Sequence, residues 1–238
     1  MRKIVWFSCG AASAIAAKLA VKKYKDAIIC YCATMPSEHP DNDRFLKDVS
    51  KWIDRDIVIL SNDKYHTIDD VFEHQKFLKN SYGAPCTRLL KKKPRQNFAN
   101  PDDLNLFGFT LEETERAALF DSGNFELKTE HILIDNGISH SDCLGLLWSA
   151  GIKIPVMYDL GYGHNNCLGC VKGGMGYWNK IRVDFPEVFA RRSKQERKFG
   201  YSLCKDYFLD ELPKNAGNFK KEPSISCGVV CQVISKSI

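Results

Sequence analysis

Residues 6–14 read WFSCGAASA. Before them, Lys3–Phe7 is a short apolar run with the character of a β-strand. After them, Ala14–Val21 sets Ile15, Leu19 and Val21 among alanines and lysines, the pattern of a helix. A strand that empties into a helix through Ser, Cys, Gly and Ala has two physical readings. Small side chains let backbone N–H groups approach an oxyanion, and a helix N-terminus adds partial positive charge. Alternatively, the turn is tight and needs small residues only to pack.

Working outward, the first half of the chain repeats the same unit. Strand 3–8 leads to helix 12–23, strand 27–33 to a helix over Asp41–Ile53, and strand 56–61 to a helix over Ile68–Leu78. This rhythm implies an α/β fold, a doubly wound and mostly parallel sheet with helices on both faces. GAPCTRLLKKKPRQNFA (83–99) begins in a turn and runs into a basic helix. LNLFGF (104–109) reads as a fourth strand. TLEETERAALF reads as a helix capped by Thr110, with Glu113 at capping-box spacing. EHILIDNG (130–137) is either a further strand or a connection ahead of a helix over Ser139–Ala150. YGHNNCLGCVKGGMGYWNK is glycine-rich and irregular, DFPEVFARRSKQERKFG is helical, and the last 30 or so residues read as a loose tail. The expected organisation is an α/β core over 1–155, and a Cys/Gly-rich segment, helix and mobile tail over 156–238 packed on it.

A chain of 238 residues with 44% hydrophobic residues can bury one large core. No apolar run approaches the roughly 20 residues of a membrane span. The N-terminal apolar run is too short for a signal peptide, so the expected location is cytoplasmic, with no membrane partner. The net charge of +5 is concentrated in KKKPR (91–95) and RRSKQERK (191–198). Such runs are solvated helix faces or contacts for an anionic partner, a nucleotide or a nucleic-acid backbone. Ten cysteines without a secretion signal argue for metal or redox chemistry rather than a disulfide framework.

In open α/β sheets, ligands bind beyond the C-terminal ends of the strands. Three segments should meet there: the turn Ser8–Ser13, the loop ATMPSEHPDNDRF with Thr34, Glu38, His39, Asp41 and Arg44, and GFTLEETER with Gly108, Glu112, Glu115 and Arg116. Cys167 and Cys170 form a CxxC in a glycine-rich turn. That geometry suits zinc, an iron–sulfur cluster, a redox dithiol or a pair of unligated thiols. Zinc needs two further ligands, for which Cys86 and His164 are candidates, and Lys172 favours an anion or thiolate nearby. In the tail, Gly228 leaves the Cys227 sulfur accessible, and Cys231 is spaced to resolve an intermediate formed on it.

Taken in order, these segments resemble the adenosine phosphosulfate and phosphoadenosine phosphosulfate (PAPS) reductase family of the adenine-nucleotide α-hydrolase (ATP-pyrophosphatase, PP-loop) superfamily. FSCGAAS is similar to the superfamily's Ser-Gly-Gly-x-Asp-Ser phosphate loop, and TMPSEHPDNDRF to its Thr-Gly-x-x-x-Pro-Glu-Thr segment. GAPCTRLLKKKP resembles the Cys-containing basic segment, CLGC the later Cys pair of cluster-bearing members, and SCGVV the C-terminal Glu-Cys-Gly-(Leu or Ile)-His motif. The resemblance implies an adenine-nucleotide α-hydrolase-like fold. It implies a nucleotide (PAPS, APS or ATP) cradled by Ser8, Cys9, Gly10, Ala11, Ala12 and Ser13, with Thr34, Glu38, His39, Arg44, Gly108, Arg116 and Lys172 around it. It further implies Cys227 as nucleophile with Cys231 second, a thiol reductant such as thioredoxin or glutathione, and a [4Fe-4S] cluster on Cys86, Cys167 and Cys170, with zinc and His164 as the alternative.

This chain also departs from the pattern. Ala12 stands for the loop's aspartate and Cys9 for its first glycine, Cys86-Thr87 for adjacent cysteines, and Ser226 and Val230 for the tail's Glu and His. Sulfonucleotide reductases also lack the aspartate, since breaking an S–O bond requires no adenylation. Three cluster ligands instead resemble the ATP-dependent, iron–sulfur-dependent sulfur transferases that thiolate a tRNA or DNA base. The sequence thus carries three functions in order of weight: a PAPS reductase-like enzyme, a sulfur transferase, and a non-catalytic nucleotide-binding protein with structural zinc. A homodimer is compatible with each.

Overall fold

The computed structural model describes residues 1–80, 83–223 and 225. Five short apolar segments, β1 (Lys3–Phe7), β2 (Ala27–Cys32), β3 (Ile57–Leu60), β4 (Leu104–Leu106) and β5 (Lys128–Glu130), form one all-parallel sheet. The order is β3-β2-β1-β4-β5, so the chain winds outward from β1 in one direction and then returns to β1's other side. Side-chain alternation splits each strand between two layers. Val5, Phe7, Ile29, Tyr31 and Leu106 point into a core shared with α1 (Ala11–Lys23) and α2 (Asp41–Ile53). Ile4, Trp6 and Cys30 point the other way, under Phe98 of α4 (Lys93–Phe98). Helices therefore flank both faces.

α1 owes its alanines to its position. Ala11, Ala14, Ala16, Ala17 and Ala20 are all fully buried, because the helix is hemmed in by the sheet, by α2, by α6 (Ile132–Asp135) and by α7 (His140–Ser149). Small side chains let these backbones approach. Several boundaries differ from the sequence reading. β4 stops at Leu106, which frees residues 107–110 to cross the end of the sheet. The Thr110–Glu113 capping box forms as expected, but on a 3-10 turn (Leu111–Glu113) that leads into α5 (Thr114–Ser122). The fifth strand ends at Glu130, and ILID is the helical connection α6, its Ile132 and Leu133 turned into the α1 core.

α3 (Ile68–Gln75) is shorter than its apolar pattern and ends at Lys76, a non-glycine residue at φ 53°. The basic helix is not uniform either. Thr87–Lys92 forms a π-helical turn running into α4, with Lys93 N–H bonding to the Arg88 carbonyl. Pro94 explains it: a proline inside a continuous helix removes an N–H and crowds the preceding turn, and widening relieves the clash. After α8 (Val156–Asp159), α9 (Met175–Asp184) starts inside the glycine-rich segment, earlier than its composition suggests. α10 (Pro186–Phe199) closes on Gly200 at φ 79°, a left-handed cap.

A second core lies beside the sheet. It combines Tyr65, Val71, Phe72, Leu78 and Leu90 with Met157, Trp178, Ile181, Leu209 and Leu212. The segment after 155 thus packs on the excursion between β3 and β4. Among the described residues no helix is long and apolar enough to cross a membrane.

Candidate functional site

β1 lies between β2 and β4, so the chain leaves it toward opposite sides of the sheet, and a crevice opens at its C-terminal end. A cleft of about 220 Å³ occupies that place. Its floor is the turn after β1. Ser13 Oγ donates to the Gly10 carbonyl (2.9 Å) and accepts from the Ser8 N–H (3.1 Å), tying the turn closed across the helix start. Cys9 sits at φ 56° with its side chain fully buried, and burial, with Glu38 nearby, pushes its thiol pKa well up. Its carbonyl is held by Asn165 Nδ2 at 2.6 Å. From across the crevice Gly108 presses on this turn. A Cβ there would lie 2.9 Å from both Ser13 Cα and Ser13 N, so only glycine permits the approach.

The walls carry charge. Among the described residues Lys91, Arg95 and Arg116 line the cleft with one carboxylate, Glu113, together with His140, His164 and Tyr158. Arg95 lies over the rings of Trp6 (5.4 Å) and Phe107 (5.6 Å), and burial lowers its pKa from a value far above neutrality. Arg116 pairs with Glu113 and covers Phe109. His164 packs on His140, their ring centroids 5.7 Å apart; burial, and then the His140 charge, lower its pKa. This concentration of positive charge along one crevice suits a ligand bearing several negative charges.

The sequence candidates fall in different places. Ser8, Gly10, Ala12, Ser13, Thr34, Gly108, Arg116 and His164 line the cleft. Cys9 and Ala11 shape the turn from within. Glu38, His39 and Arg44 do not line the cleft, and of the three Glu38 is linked back to the turn through Asn42 and Asn165. Buried Glu38 accepts from Thr34 Oγ1 (2.6 Å), Asn42 Nδ2 (2.7 Å) and Tyr31 Oη (2.9 Å), and Asn42 in turn accepts from Asn165. The His39 ring lies edge-on to Phe185. Arg44 is engaged by Asp41 and Asp48 and donates to the Lys153 and Ile154 carbonyls. Lys172 is half-buried and lines neither this cleft nor the cysteine cavity next to it. Cys227 and Cys231 lie outside the described residues.

Cys86, Cys167 and Cys170 do converge, on a cavity of about 10 Å³ that shares Thr34 and Lys91 with the cleft. The Thr87 hydroxyl is buried without a hydrogen-bond partner on the same cavity wall. As arranged, these residues do not fit the expected metal group. Among the described residues no set of three His, Cys, Asp or Glu side chains is grouped to hold a metal ion. The space matches about one water, which Thr87 would bind, and not a four-iron cluster. His164 turns to the cleft and is absent from this cavity's lining.

Sequence reasoning missed Trp6, Phe107, His140, Tyr158 and Asn165 in the cleft. Lys91 and Arg95 carried a signal, the KKKPR run, but nothing in their spacing said which cations face inward. No family model and no curated protein matches the chain.

Proposed function

We propose that this protein is a PAPS reductase-like enzyme, which binds an adenine sulfonucleotide in the β1–β4 crevice and reduces it by thiol chemistry. The observation that carries this reading is the turn Ser8–Ser13, placed at the point where the winding of the sheet reverses and faced by Lys91, Arg95 and Arg116. In this reading the cations hold the nucleotide's phosphate and sulfate oxygens. The Cys227 thiolate attacks the sulfate sulfur, and the S–O bond to the nucleotide phosphate breaks with its electron pair leaving on the phosphate. A second thiol, from Cys231 or a reductant such as thioredoxin or glutathione, then attacks the Cys227 sulfur. That step forms a disulfide and releases sulfite. Ile225, two positions before Cys227 in sequence, lines the cleft, which favours this reading.

The test is sulfite release from PAPS or APS with a thiol reductant, wild type beside Cys227→Ser. Turnover is expected in the wild type and absent in the variant, with nucleotide affinity unchanged. Equal rates would remove Cys227 as the nucleophile. Nucleotide binding without any sulfite would remove the reductase reading in favour of the sulfur transferase considered next.

The convergence of Cys86, Cys167 and Cys170 beside the cleft favours a second reading, an ATP-dependent sulfur transferase acting on a tRNA or DNA base. Base thiolation with ATP, measured for wild type beside Cys227→Ser, separates the two: thiolation that survives the substitution supports the transferase, and sulfite release that is lost with it supports the reductase.

A further inference from the structure

Tyr158 stands over the first turn of α1. Its Oη accepts the Ala11 N–H at 3.1 Å, and the Asn165 backbone N–H also faces it. A Cβ on Gly10 would lie 3.4 Å from that oxygen, so the hydroxyl sits directly against the turn. Burial pushes the phenol up to about 12, which keeps its proton in place at neutral pH. The oxygen already receives backbone N–H groups, and among the described residues no acceptor takes its own proton. The same holds for the next two amides: neither Ala12 N–H nor Ser13 N–H has a protein acceptor, as expected for the first turn of a helix.

A second observation on the same wall is independent of the helix end. Asn165 is 7% exposed, and both of its side-chain N–H bonds are used, to Cys9 O and Asn42 Oδ1. Its Oδ1 is buried with no partner although the residue lines the cleft. An orphaned buried acceptor is costly unless an occupant supplies a donor.

Resting on the nucleotide-cleft reading above, we infer that Tyr158 is a ligand-binding residue of that cleft. Its O–H, together with the Ala12 and Ser13 amides, forms an oxyanion site for one phosphoryl or sulfuryl group, and Asn165 Oδ1 takes a hydrogen bond from a water or hydroxyl that accompanies it. Tyr158 does two things at once. It caps Ala11, and it relays the helix's positive end to the anion through a proton that cannot be lost at neutral pH. The site therefore selects for negative charge and not for the adenosine ring.

The experiment measures binding of inorganic pyrophosphate, ATP and adenosine by calorimetry to wild type and Tyr158→Phe. Loss of one hydrogen bond to a charged group is expected to weaken pyrophosphate and ATP roughly tenfold to a hundredfold, with adenosine unchanged. A purely structural role would weaken all three together and overturn the inference. So would wild-type pyrophosphate affinity in the folded variant. Should Tyr158→Phe not fold, Gly10→Asp sets a carboxylate beside the hydroxyl from a Cβ position 3.4 Å away at unstrained φ, and unaltered pyrophosphate binding there overturns the inference equally. Tyr158-dependent pyrophosphate binding in a protein that releases no sulfite would support this site and remove the reductase reading. Sulfite release with full pyrophosphate affinity in Tyr158→Phe would do the reverse.

Discussion

Gly108 shows how much a single missing side chain decides. Its contacts are backbone atoms of Ser13, at 2.9 Å from a Cβ position, so neither partner can rotate away. Gly108→Ala is expected to push β4's exit loop off the turn, costing about 1–3 kcal/mol of stability by overpacking. Thermal melts and ATP calorimetry measure both effects. A variant that melts and binds like wild type would mean that the two loops have slack between them. Only the structure revealed this role: in the sequence Gly108 is one glycine between two phenylalanines, and the residue it touches is 95 positions away. Cys9 makes the converse point. Here a cysteine, and not a glycine, holds φ 56°, with Asn165 securing its carbonyl and the core enclosing its sulfur.

Among the elements, α2 is fastened at its first turn. Asp41 accepts both Arg44 Nε (2.7 Å) and Nη2 (2.8 Å) and also the Val156 N–H (3.0 Å), which joins the helix to the start of α8. The Arg44 hydrogen bonds come first among the causes that hold the Asp41 carboxyl below its ordinary value of 3.8. The unfolded chain then binds the more protons between the two values, so stability rises with pH there. The clamp acts fully above the ordinary aspartate range and is lost as pH falls through the folded value. Asp41→Asn is expected to cost about 1.5–3 kcal/mol at neutral pH, the worth of hydrogen bonds to a charged group. That difference should shrink in urea melts taken below pH 3.8. A penalty constant across that range would show that the charge contributes nothing. Here the sequence was partly legible. The acidic first turn and Arg44 were visible as charged groups at a strand end, but whether they faced a ligand or each other depended on Val156, 115 residues on.

At the scale of the whole molecule, the second core straddles position 155. Val71, Phe72 and Leu78 are fully buried, Leu90 is 2% exposed, and much of what covers them comes from Met157 to Leu212. A chain ended at Pro155 is therefore expected to expose a contiguous apolar surface and to aggregate or lose protection around α3. Light scattering and amide exchange would detect this. A monomeric 1–155 fragment with a cooperative melt would instead make residue 155 a true domain boundary. The sequence by itself determined the βα alternation, the parallel sheet, the small-residue turn and the capping box, because each rests on periodicity or on residues within one turn of each other. The sequence reads a strand as far as residue 109 where β4 stops at Leu106, leaves 130–137 open between a strand and a connection, and gives no sign of the π turn before Pro94; packing on α1 decides the second and a ring clash the third. What only the tertiary structure decided is which polar groups meet. Glu38, His39 and Arg44 stay out of the cleft lining, while His140, Tyr158 and Asn165 line it. No local pattern encodes that choice, since it is made by contacts between side chains more than a hundred residues apart.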